Sequence, residues 1–152
     1  IAVGFGGVLQ KIGMVESLLG GLIKKVKTPF QLVVVTMITG AFCITTMCDQ
    51  YLGLIIPSTM YKDKYDEMGL GRNFLSRTLE DGGTLFAFLV PWSAAAIYSS
   101  GVLGVSAVEY LPFAFLPLLC PLTAIVCAIT GIGVFDTAGK SLRGKTMKRV
   151  EK

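Results

Sequence analysis

Two long apolar runs dominate the chain, residues 28–61 and 82–135, separated by a polar stretch at 61–81 and flanked by basic ends. Ahead of the first run, Val8, Ile12, Val15, Leu19, Leu22 and Val26 recur at steps of four and three, which marks one face of a helix. Lys11, Glu16, Lys24, Lys25 and Lys27 fall largely elsewhere, so residues 1–28 read as an amphipathic segment at a membrane interface or against a neighbouring helix. Gly13, Gly20 and Gly21 weaken its continuity, at about 1 kcal/mol each relative to Ala.

Residues 29–61 are too long for one straight crossing. As a single helix they would run about 50 Å against a hydrocarbon core of about 30 Å, so the segment must tilt, break or turn back. Its centre falls beside the cluster Thr45-Thr46-Met47-Cys48-Asp49-Gln50. Polar residues between two apolar arms predict a re-entrant hairpin or a broken helix, which a membrane tolerates only where the backbone is buried in protein or lines a cavity.

Residues 62–83 read as an interfacial connector. Residues 84–105 repeat the theme of an interrupted apolar segment, with Pro91-Trp92-Ser93 near the middle. Proline lacks a backbone donor and frees a carbonyl one turn earlier, which predicts a broken transmembrane helix. Residues 110–134 read as a conventional span punctuated by Pro112, Pro117 and Pro121, and 135–152 as a basic tail held against anionic lipid.

Composition places these segments in a membrane. Of the 152 residues 53% are hydrophobic and 16% charged, with mean hydropathy +0.67, against about 25% charged in ordinary soluble domains. The formal charge of +4 is concentrated at the ends. Basic flanks favour the cytoplasmic side. With both ends there, the number of crossings is even, so 28–61 is expected to be re-entrant while the two later elements cross. The tail is short and lacks interleaved aromatics, which argues against nucleic acid as a partner. The chain begins at Ile1 without a charged leader or cleavage motif, which reads as the C-terminal part of a longer protein and not as a signal peptide. Cys43, Cys48, Cys120 and Cys127 match no zinc spacing and read as packing residues.

Asp49 is the only charged residue in 28–61. A carboxylate at mid-bilayer depth costs roughly 2.5–3.5 kcal/mol on insertion scales and usually marks an ion or proton path. Its other reading is a cap for the second hairpin arm, and the two are compatible. Glu80 and Asp81, with Thr84, are either a helix start whose charge suits the N-terminal dipole or a second proton site. Glu109 reads as interfacial. Trp92 fits either an interface or the segment's interior, and Ser99 and Ser100 either join helices or touch an ion.

Thr46-Met47-Cys48-Asp49-Gln50-Tyr51-Leu52, then Leu79-Glu80-Asp81-Gly82-Gly83-Thr84, Pro91-Trp92, Gly101-Val102-Leu103-Gly104-Val105 and Glu109-Tyr110-Leu111-Pro112 occur in this order. Together they resemble the C-terminal portion of NhaC-type sodium/proton antiporters, over residues 6–131. The resemblance implies an all-α integral membrane protein of inverted-repeat architecture, with hairpins and broken helices around a central site. It further implies a bacterial, multi-pass cell-membrane transporter that exchanges Na+ for H+ and needs no cofactor. The family also includes sodium- and proton-coupled malate/lactate exchangers. This chain departs from the family after Pro91-Trp92, where Asn and a hydroxyl residue are common and Ser93-Ala94-Ala95 stand instead, which bears on the ligand there.

Sodium takes oxygen ligands, by the logic that gives calcium and magnesium carboxylates, carbonyls and waters. Asp49 supplies charge, Thr45, Thr46 and Ser93 hydroxyls, and Gln50 an amide oxygen; Asp49 binding a cation or a proton by turns would couple the two ions. The partners expected are the N-terminal half of the same transporter, membrane lipid and a second copy of the chain. Organic-acid exchange and a non-transporting membrane subunit remain as alternatives. An intramembrane aspartyl protease is disfavoured, because its chemistry needs two carboxylates sharing a proton.

Overall fold

The computed structural model describes residues 8, 11–13, 17, 21 and 26–130, organised as packed helices. Most of the amphipathic segment expected within 1–28, residues 131–134 of the last expected span and the basic tail lie outside the described residues.

Helix α1, Pro29–Met47, begins where the Thr28 hydroxyl accepts the Gln31 N–H at 3.2 Å, with Pro29 in the first turn where no donor is needed. It stops at Cys48, a left-handed residue with φ 58°, whose N–H returns to the Ile44 carbonyl at 2.9 Å. Asp49 is extended and caps α2, Gln50–Glu67. The two helices pack antiparallel: Thr39 bonds Tyr61 at 2.7 Å, Tyr65 donates to Thr36 at 3.4 Å, and Cys43, Met47 and Ile56 cluster nearer the turn. The second arm thus continues past residue 61, because Lys62–Glu67 carry on the helical hydrogen bonding of α2.

The Thr39–Tyr61 pair predicts a stability effect. Tyr61→Phe leaves a buried Thr39 hydroxyl without this partner, at a cost of about 1–3 kcal/mol. The expected result is a lower midpoint in denaturant for the purified protein; an unchanged midpoint would show that the bond adds nothing.

Residues 62–83, expected as an interfacial connector, finish α2, turn at Gly69 and form α3, Arg72–Leu79. Phe74, Leu75, Thr78 and Leu79 recur at helical spacing and enter the core beside Leu32, Val33 and Tyr65. Helix α3 runs into a π-turn, Glu80–Thr84, in which the Leu85 N–H bonds the Glu80 carbonyl, and then into α4, Leu85–Ala87. This rod crosses the hairpin at glycines. A Cβ on Gly40 would lie 3.4 Å from the carbonyl oxygens of both Gly53 and Gly82, and one on Gly82 would lie 2.6 Å from Met37 Cα. The first is close contact, whereas a side chain on Gly82 would force the rod away from α1.

The helix opens after Ala87 into short turns through Ser93, and α5, Ala94–Leu103, follows. Gly104, at φ 69°, ends α5. Helix α6, Ala107–Tyr110, is held at its start by Glu109, whose carboxylate accepts the Ser106 N–H at 3.0 Å. The segment expected as one span over 110–134 is interrupted: Leu111–Phe113 forms a 3-10 turn around Pro112, and α7 runs only over Phe115–Thr130. Among the described residues, Pro29–Met47 is the one helix long and apolar enough to cross a membrane. Ala94–Leu103 and Ala107–Phe113 reach that length only together, and they meet at 86°. Helix α7 exposes Phe115, Leu116, Leu119, Leu122 and Val126, an apolar face of the kind that meets lipid or another protein surface.

Candidate ion site where the hairpin tip meets the helix break

The two interruptions in the chain touch each other. Trp92 donates its indole N–H to the Thr45 carbonyl at 2.9 Å, and the Ala94 N–H bonds the Cys48 carbonyl at 3.2 Å. One bond therefore comes from each side of Ser93, so the end of α1 and the start of α5 are held as one unit. Between them lies a cleft of about 310 Å³ lined by Asp49, Gln50, Tyr51, Phe88, Ala94, Ala95 and Tyr98.

Asp49 is the only carboxylate among those residues. Its Oδ1 accepts the backbone N–H groups of Tyr51 at 2.7 Å and Leu52 at 3.2 Å, so it caps α2. A carboxylate has about four lone-pair positions, and the cap leaves capacity on Oδ2 for a cation or a proton. Asp49 is half-buried here. Helices α2 and α5 both begin at this place, bringing the positive ends of their dipoles, while α1 ends there with carbonyls that lack intrahelical donors.

The other residues predicted for the site divide into two groups. Gln50 lines the cleft. Thr45 and Thr46 stand in the last turn of α1 and donate their hydroxyls to Ala41 and Phe42 carbonyls, each at 2.8 Å, which leaves oxygen lone pairs but fixes their direction. Ser93 is buried, donating to the Ala87 carbonyl at 2.6 Å and accepting the Ala96 N–H at 3.1 Å. That hydroxyl caps α5 and ties it back to α4. Glu80, Asp81 and Thr84 are elsewhere, on the π-turn: Glu80 is exposed and accepts from the Thr84 hydroxyl at 3.2 Å, whereas Asp81 is buried.

Trp92, which bridges to Thr45, and the rings of Tyr51, Phe88 and Tyr98 in the cleft lining are contributors that sequence reasoning did not assign to the site. The available signal was a Trp in the middle of an apolar segment, beside the proline that opens it. Trp92→Phe keeps an aromatic ring, though a smaller one, and removes the donor to Thr45. It is expected to cost about 0.5–1.5 kcal/mol of stability, read as a lower thermal midpoint; a value equal to wild type would mean that water replaces the indole without loss.

The sequence profile of the Na+/H+ antiporter family matches residues 1–132, which takes in the hairpin, the π-turn and the break. The chain belongs to the Na+/H+ antiporter family. Members of this family are transporters and not enzymes. Among curated relatives, the chain is similar to the Na+/H+ antiporter NhaC of Bacillus subtilis, 36% identical over 83% of this chain and 28% of that protein. It is also similar to NhaC of Alkalihalophilus pseudofirmus, 36% identical over 88% of this chain and 29% of that protein. The malate-2H+/Na+-lactate antiporter of Bacillus subtilis is 34% identical over 95% of this chain and 31% of its own length. The chain thus spans less than a third of the length of the curated relatives it matches. No solved structure matches it.

Proposed function

We propose that the chain is the C-terminal part of a bacterial cell-membrane transporter that exchanges Na+ for H+, with Asp49 binding the cation and the proton by turns. The observation that carries this reading is the contact between two backbone interruptions, at Cys48–Asp49 and before Ala94, with a carboxylate in the cleft between them. Discontinuous helices near the bilayer midplane are how many secondary transporters expose carbonyls and helix ends to an ion. Asp49, Gln50 and a neighbouring carbonyl at the cleft, with the Thr45 and Thr46 hydroxyls in the adjoining last turn of α1, would supply the hard oxygen donors that sodium takes. In this reading the hairpin of α1 and α2 is re-entrant, and the N-terminal half of the transporter completes the site and covers Asp49. The exposed face of α7 meets lipid or that half.

Organic-acid exchange is the second reading. It is favoured by the similarity to a malate/lactate antiporter over 95% of the chain and by the start of α5 at the cleft, where a helix dipole suits an anion. Everted vesicles containing the full-length transporter separate the two. Proton movement triggered by sodium chloride alone supports cation exchange; movement that requires malate or lactate replaces it with the second reading.

A further inference from the structure

Away from the hairpin tip, the π-turn places a second carboxylate inside the helix packing. Asp81 is 8% exposed, and its Oδ2 has no hydrogen-bond partner. Its neighbour Gly82 lies against Met37, near the middle of α1, which among the described residues is the one helix long enough to span, so the group sits level with the centre of α1. Arg77, one turn earlier on the rod, brings Nε to 3.7 Å from that oxygen, close enough for attraction and too far for a hydrogen bond. The same guanidinium donates through Nη2 to Cys127 of α7 at 3.6 Å. A structural i,i+4 ion pair closes its hydrogen bonds in water; this one leaves a buried charged oxygen unsatisfied, which is costly unless something else binds there. Single-turn π-helices recur at functional sites for the related reason that they redirect side chains within a helix.

The surroundings narrow what that something is. No charged residue lies on α1, α4 or α7. The α2 hydroxyls of Tyr61 and Tyr65 are paired with Thr39 and Thr36, and the charged residues of α2 cluster in its last turns. On α7 the titratable groups are the Cys120 and Cys127 thiols, and on the rod itself they are Arg77, Arg72 and the exposed Glu80. Among the described residues no group of three or more His, Cys, Asp or Glu side chains gathers around it that could hold a metal ion. A proton needs one lone pair and no cage.

We propose that Asp81 is a proton-carrying site separate from the cation site at Asp49, with Arg77 as its tethered counter-charge. In the deprotonated state the Arg77 guanidinium balances the carboxylate. When the carboxylate takes a proton, that attraction is lost and Arg77 is left to Cys127, so the proton at Asp81 is felt at the contact between the rod and α7. The inference rests on the exchange reading for its role in transport, while the titration of Asp81 stands without it.

Two measurements on the full-length transporter test this. In proteoliposomes, Asp81→Asn is expected to keep sodium binding within about threefold of wild type while the number of protons exchanged per sodium falls by one, and Asp81→Glu restores the count. An unchanged proton count, or loss of sodium binding in well-folded Asp81→Asn, overturns the proposal. Should Asp81→Asn not fold, wild type alone answers through a hydrophobic carbodiimide, which labels protonated carboxyl groups in apolar surroundings, mapped by peptide mass spectrometry. The expected result is an adduct at Asp81 that falls as pH rises, is not protected by sodium, and persists to higher pH in Arg77→Gln. No adduct at any pH, or protection by sodium, overturns it. Asp81 labelling that survives in a transporter with no sodium-driven exchange would sink the exchange reading and leave the proton site standing.

Discussion

Asp49→Asn in the full-length transporter is expected to lower sodium-driven proton movement by two to three orders of magnitude at equal protein abundance. The estimate follows from charge. A cation about 4 Å from a carboxylate at an effective dielectric constant of about 20 gains roughly 4 kcal/mol, and each 1.4 kcal/mol is about tenfold in affinity. Asn also lacks a group that can release a proton. The substitution is informative because Asn is as good a helix cap as Asp, so the bonds to Tyr51 and Leu52 persist and the hairpin stays folded. Asp49→Ala removes both roles and is expected to cost a further ~1 kcal/mol of stability. The check is sodium-triggered dequenching of a pH dye in everted vesicles, with abundance read by immunoblot. Full exchange in Asp49→Asn would make Asp49 a cap and nothing more, and the ion site would have to be sought elsewhere.

The second large effect concerns packing. Gly82→Ala places a methyl group 2.6 Å from Met37 Cα and 2.8 Å from its Cβ, a separation that real side chains do not adopt. Backbone cannot move aside as a side-chain tip can. The rod must shift from α1, with an expected loss of about 1–3 kcal/mol from overpacking and poor recovery of folded protein. Gly101 is the matched control: it lies within α5, and nothing stands within 4 Å of an added Cβ. Gly101→Ala is expected to be neutral or stabilising by up to about 1 kcal/mol, the ordinary helix preference of Ala over Gly. Thermal unfolding of the two variants reads the difference directly. Equal midpoints would mean that the rod and hairpin are not in contact at Gly82 in the folded transporter.

Much of the molecule is legible in the order of residues. The helical class follows from apolar runs without strand alternation, and family membership follows from several short motifs in one order. The turn at Cys48–Asp49 lies inside the polar cluster 45–50, and the opening before Ala94 contains Pro91, because a proline without an N–H and a run of polar residues act locally on the backbone. The reach of each element was harder to read. Residues 62–83 look like a connector because nine charges sit there, yet all of them but Asp81 lie at exposed or half-buried positions of helices that carry Phe74, Leu75 and Leu79 into the core. Pro112, one of three prolines punctuating the span read over 110–134, goes further than punctuation and sits in a 3-10 turn before the helix that starts at Phe115.

What the sequence by itself determined is therefore local: which residues are apolar, where the backbone cannot remain helical, and that Asp49 stands alone among them. The tertiary structure decided the depth of each carboxylate. Asp49, isolated in the sequence, sits half-exposed at a tip as a cap, while Asp81, one of many charges in its neighbourhood, is buried where the rod packs on α1 with Gly82 against Met37. Burial is set by which segments pack over a group, and that depends on contacts between residues some forty positions apart, which hydrophobic periodicity along one segment does not encode.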